Sequence, residues 1–123
     1  MPREEVSSAL VAALLAGDDV ALARLLDIEA RLTVDTGDRG GGSVRGRARV
    51  IRTLERLVVD RHDAALEAVQ VNGCPGLALR RDDGTVIGVL AFEPATDGGG
   101  PIAELWLQAA PGKLAHWNRR CAP

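Results

Sequence analysis

The sequence has no tyrosine, a single phenylalanine (Phe92) and two tryptophans (Trp106 and Trp117) among its 123 residues. Without a phenol there is no tyrosyl oxyanion donor or tyrosyl acid, and chemistry that depends on one is excluded. Cysteine is nearly as scarce. Cys74 and Cys121 lack any CxxC or Cys/His spacing, which argues against a metal site or a disulfide framework and reads as two unpaired thiols. The two histidines, His62 and His116, fall where helices are expected to end, positions at which a histidine is ordinarily exposed or partners the helix terminus. No apolar run approaches the roughly 20 residues that span a bilayer. The opening residues are acidic where a secretory signal is basic, so no membrane partner and a cytoplasmic location are expected.

A basic excess is missing too. Fifteen Lys and Arg stand against 17 Asp and Glu, a net charge of −2, which argues against charge-driven, direct nucleic-acid binding. The glycine stretch Gly40 to Gly42 has neither the Lys-Ser/Thr ending of a phosphate loop nor a GxGxxG pattern, and no cofactor is expected. It reads instead as a lid, a flap or a plain linker.

What remains is an ordinary globular composition. Hydrophobic residues make up 46% and the mean hydropathy is +0.03, enough for one core and one domain over 1–123. Val6, Leu10, Val11, Leu14 and Leu15 recur at helical spacing up to Gly17, and Asp18 or Asp19 caps a short second helix through Leu26. Residues 30–36 alternate as a half-buried strand, followed by an irregular glycine-rich segment over 37–43. A third helix over 46–60 turns Val50, Ile51, Leu54, Leu57 and Val58 inward, with Arg45, Arg49, Arg52 and Arg56 on the opposite side. That arginine row is a phosphate-binding face or, more simply, a solvated one. Arg47 projects among the apolar residues, where it either snorkels or points into a cavity.

Four antiparallel strands fill the second half, over 64–72, 76–81, 85–93 and 101–110, joined by the turn signals at Asn72-Gly73, Asp82-Asp83-Gly84 and Asp97-Gly98. Strict alternation puts Val86, Leu90 and Phe92 on one face of the third of these and Ile87, Val89 and Ala91 on the other. In the last it groups Ile102 with Trp106, opposite Leu105 and Leu107. Two apolar faces imply helices on one side and a second subunit on the other, a homodimer through the sheet face. Pro111 opens a final helical turn from which Leu114 and Trp117 pack back onto the sheet.

This order of elements resembles the nuclear transport factor 2-like fold, specifically its SnoaL-like branch. The strings Val71 to Leu77, Gly84 to Phe92, Ile102 to Trp106 and Lys113-Leu114 resemble the C-terminal SnoaL-like domains of certain extracytoplasmic-function sigma factors. That subgroup reads Asp-Gly-Gly-Gly after its first strand and Asn-Pro-Asp-Lys-Leu after its last, where this chain has Asp38-Arg39-Gly40-Gly41-Gly42 and Ala110-Pro111-Gly112-Lys113-Leu114. With no sigma-factor DNA-binding helices ahead of the first helix, promoter recognition is not expected of this chain.

The resemblance implies an α+β cone, N-terminal helices against a curved, mostly antiparallel sheet, with a pocket at its wide end. Enzymes on this fold use buried carboxylates or histidines, often helped by tyrosines. Here Asp35, Glu67, Glu93 and Glu104 are the strand carboxylates, and Asp35, with Arg47 placed to pair with it across the cavity mouth, is the best catalytic candidate. Candidate pocket-lining residues are Val34, Asp35, Arg47, Ile51, Leu54, Val89, Leu105, Trp106 and Gln108. The leading expectation is a non-catalytic or regulatory domain with an apolar pocket for a small hydrophobic ligand. Its rivals are a small cyclase, isomerase or hydrolase using Asp35 and Arg47, and a protein-interaction module related to sigma-factor regulation.

Overall fold

The computed structural model describes residues 3–39, 41–61, 63–71, 73–96 and 99–115. His62, His116, Trp117 and Cys121, singled out above, lie outside the described residues.

Helix α1 (Arg3–Ala16) ends where Gly17 takes a positive φ of 63°, and the Asp18 amide turns back to donate to the Ala13 carbonyl at 3.0 Å. The Asp18 carboxylate then caps α2 (Asp19–Leu25), accepting from the Ala21 amide at 3.1 Å. No loop follows. The chain enters strand β1 (Leu26–Asp35) directly, four residues earlier than alternation indicates, because Leu26 and Ala30 are both drawn fully into the core.

The segment expected to be irregular over 37–43 holds part of a strand. Residues Gly42–Arg45 form β2, antiparallel to β1, and a Cβ on Gly41 would stand only 2.6 Å from the Val34 carbonyl oxygen. Gly41 therefore serves close approach in a hairpin. Arg45 belongs to this strand rather than to α3 (Arg47–Asp60), whose buried stripe is Val50, Ile51 and Leu54 with Leu57 and Val58 packed beside it.

Strands β3 (Ala64–Val71), β4 (Cys74–Arg81), β5 (Val86–Thr96) and β6 (Gly99–Gln108) form the expected meander, and a helical turn over 111–115 follows. The curved six-stranded sheet has the order β2-β1-β6-β5-β4-β3, with β1 parallel to β6 and every other neighbour antiparallel. Its inner face, Leu32, Leu77, Leu90, Phe92, Leu105 and Leu107, packs against Leu10, Leu14, Leu22 and the α3 stripe in the main core. A second, smaller cluster on the outer face joins Ala78, Val86 and Val89 to Leu114 of the terminal turn.

Two bulges correct the expected strand faces. Leu79 pairs with Gly88 but Arg80 pairs with Val86, so Ile87 is an extra residue and Val86 moves to the outer face beside Val89. Likewise Glu93 pairs with Glu104 but Pro94 with Ile102, so Ala103 is extra and Ile102 joins Leu105 and Leu107 inside, away from Trp106. A single inserted residue reverses every facing beyond it, which no alternation pattern reveals.

Candidate functional site

The nine residues expected to line one pocket fall on two sides of the sheet. Ile51, Leu54 and Leu105 are buried within the inner core, with Val34 packed at its margin. Val89, Trp106, Gln108 and Asp35 belong to the outer face, where register sets Asp35 beside Gln108, Gln108 beside Val89 and Thr33 beside Trp106. Arg47 belongs to neither group. Its Nη1 donates to the Ala23 carbonyl at 3.2 Å, tying the first turn of α3 to α2 with the guanidinium partly buried.

The expected Asp35 and Arg47 pair is therefore not formed. Asp35 ends β1 at the outer margin of the sheet and is fully engaged there. One carboxylate oxygen accepts from the Gly37 amide at 2.9 Å; the other accepts from Gln108 Nε2 at 3.3 Å and from Lys113 Nζ. Gln108 in turn accepts the Ala110 amide at 3.1 Å, and the Ala109 amide donates to the Asp35 carbonyl at 2.7 Å. Gly37 is needed for this turn: its φ is 81°, and a Cβ there would meet that of Ala110 at 3.0 Å. Together these bonds fasten the 111–115 turn to the end of β1.

The chemistry of this cluster opposes catalysis. The Lys113 ammonium, then the Gly37 amide and the Gln108 amide, hold the Asp35 carboxyl below its ordinary value. A general base working near neutrality needs its pKa raised toward that range, whereas Asp35 is an exposed, already neutralised anion. Glu67 and Glu104 are likewise committed, Glu67 to Arg80 at 3.1 Å and Glu104 to Arg31 at 3.0 Å. Among the described residues, no three of His, Cys, Asp and Glu come together in an arrangement that could hold a metal ion.

Among the described residues the interior is closely packed. Between α1, α3 and the inner face lies an apolar void of about 10 Å³, lined by Leu14, Leu54, Leu57, Leu66, Leu77 and their neighbours, with no polar atom among its exposed lining. That is about the volume one water molecule needs, and a dry apolar wall gives water no partners. Of the nine expected lining residues only Leu54 borders it.

The outer face offers more to a partner. Trp106, 41% exposed, stands with half-buried Thr33 and Ala91 as its cross-strand neighbours, and half-buried Val69 lies further along the same row. The ion pairs Arg31–Glu104 and Arg80–Glu67 flank this apolar centre. Lys113 was not among the residues expected to act at a site; its signal in the sequence was the Lys-Leu pair after the last strand, which marks the anchored turn.

No protein-family model and no curated protein matches the sequence. Solved structures do match in shape. The extracytoplasmic function sigma factor SigJ of Mycobacterium tuberculosis is similar at a TM-score of 0.68 and 25% identity, over 92% of this chain and 44% of that one. The chain thus spans under half the length of that sigma factor. A SnoaL-like protein of unknown function from Burkholderia thailandensis is similar at a TM-score of 0.64 and 15% identity, over 88% of this chain and 94% of that one. An NTF2-like protein of unknown function from Cytophaga hutchinsonii is similar at a TM-score of 0.62 and 13% identity, over 94% and 96%. Helices against a curved sheet in this strand order, shared along almost the whole chain with these proteins, give this chain the nuclear transport factor 2-like fold.

Proposed function

We propose that the chain is a regulatory domain that acts by binding rather than turnover, and that it does so as a homodimer through the outer face of its sheet. The observation that carries this reading is Trp106, a large aromatic exposed at the centre of an apolar row whose flanks are charged. An apolar, aromatic centre inside a polar rim is the usual anatomy of a protein interface. The alternative of a small hydrophobic ligand inside the cone has less support, since a void near 10 Å³ admits one only by displacing side chains. The rival cyclase, isomerase or hydrolase has less still, since Asp35 is paired with Lys113 and remote in its bonding from Arg47.

The likeness to part of a sigma factor supports a regulatory role in sigma-factor-dependent transcription. A regulator of that kind works in the cytoplasm, which is the location this reading assigns. Sedimentation velocity at micromolar concentration tests the proposal: a dimer is expected, and Trp106→Glu should convert it to a monomer with an unchanged far-ultraviolet circular dichroism spectrum. A strict monomer, or a dimer indifferent to Trp106→Glu, would overturn it.

A further inference from the structure

On the side of α3 away from α2 a trough runs between the helix and the β1–β2 hairpin. Its first part is a solvent-open depression of about 580 Å³ formed by Val44, Thr53 and three arginines, Arg49, Arg52 and Arg56. Val44, Thr53 and Arg56 also border a second depression of about 350 Å³, whose apolar floor is Leu32, Val34 and Leu57 and whose far end carries Asp60. The two are one continuous surface with a cationic end and an apolar floor that runs on toward Asp60.

The arginines sit at i, i+3 and i+7 and so share one side of the helix. All three are exposed, and none of their guanidinium groups is ion-paired or hydrogen-bonded among the described residues. Like charges at this spacing destabilise a helix, and in a chain of net charge −2 this row runs against the overall sign. Glu55 and Asp60, at i+3 from Arg52 and i+4 from Arg56, offset part of that cost, but neither forms an ion pair with the row among the described residues. An anionic ligand would offset the rest. Arginine presents a planar fork that takes carboxylate or phosphate oxygens in pairs, so the head of the ligand is defined by chemistry. Half-buried Val34, Val44 and Leu57, lying over the fully buried Leu32, define the rest, an apolar chain leading away from the head toward the hairpin.

The geometry points to a binding site for an anionic amphiphile, an acyl carboxylate or alkyl phosphate, with its head on Arg49, Arg52 and Arg56 and its chain along the β1–β2 hairpin. This site is outside the cone and on a different surface from Trp106, so it stands independently of the dimer reading. The combined size of the trough suits a small ligand, for which sites of about 300–1,000 Å³ are typical.

The test is a nuclear magnetic resonance titration of the labelled full chain with dodecanoate and dodecyl phosphate below their micelle concentrations, and with dodecanol, inorganic phosphate and an oligoglutamate peptide. Saturable shifts of the Val44 and Thr53 methyls and of the arginine Nε–H groups are expected with one or both anionic amphiphiles, and which of them binds identifies the head. Arg52→Gln and Arg56→Gln should each weaken that binding about tenfold, the loss of one charged hydrogen bond. Arg24→Gln, outside the trough, should leave it unchanged, and unshifted interior leucine methyls verify that each variant is folded. The proposal is overturned if neither amphiphile gives saturable shifts, if dodecanol or inorganic phosphate binds as tightly, if the arginine variants bind like the parent, or if only oligoglutamate binds, which would make the trough a dock for an acidic protein segment.

Discussion

Ser7 is a polar side chain within the apolar side of α1, 1% exposed, and its hydroxyl has no hydrogen-bond partner among the described residues. Burying a hydroxyl without a partner costs stability that a methyl group does not. Ser7→Ala should therefore raise the unfolding free energy, by up to about 1 kcal/mol, in chemical denaturation; a loss of stability would show that the hydroxyl is bonded. The residue also explains why the first helix was only partly legible. Spacing alone selects Leu10 and Leu14 correctly but adds Leu15, which is 65% exposed, and passes over Ser7 and Ala13, which are buried. The buried stripe of α1 is rotated relative to its most hydrophobic residues because the shape of the sheet, not hydrophobicity alone, decides which side of the helix is covered.

Among the elements, those with strong local signals were legible: α3 from its apolar stripe, the meander from its Asn/Asp-Gly turns, the stop of α1 at Gly17. Those set by tertiary pairing were not. Strand β2 is hidden in a glycine-rich segment, β1 begins inside what reads as a helix, and the bulges at Ile87 and Ala103 reverse the facing of Val86 and Ile102. The site suffered most, because pocket residues chosen by alternation were divided between two faces. Asp35 shows the consequence. Expected to look into a cone beside Arg47, it instead clamps the terminal turn through Lys113. Its carboxyl is held below the ordinary value, so the clamp is intact at neutrality and above the unfolded-state pKa of about 4. It is lost as pH falls through the still lower folded-state value. Lys113→Met removes the largest cause of that depression. In a carboxyl-carbon titration the Asp35 pKa should rise toward that of a free aspartate, and the Leu114 methyls should lose their sheet-contact shifts. An Asp35 titration that Lys113→Met leaves in place would assign the clamp to the Gly37 and Gln108 amides instead.

At the scale of the whole molecule, the deciding quantity is how much of the cone is filled. The fold wraps a sheet around helices and can hold a ligand, but here leucines from α1, α3 and four strands meet across the described interior, and the void they line is about 10 Å³. Such a core transmits a truncation directly into lost contacts, since nothing inside can shift without vacating another contact. Leu54 is 2% exposed on the inward side of α3 and borders the void, so its loss enlarges a space that already exists. Leu54→Ala should cost about 3 kcal/mol in denaturant unfolding, within the range of buried leucine truncations that leave a cavity. The same variant should acquire what the parent lacks, saturable stabilisation by benzene in a thermal-shift assay, because a dry apolar cavity binds apolar guests. If the parent is stabilised by benzene as strongly as Leu54→Ala, the interior opens without truncation and the cone is a container after all; if only the variant responds, binding by the native chain belongs to its surfaces.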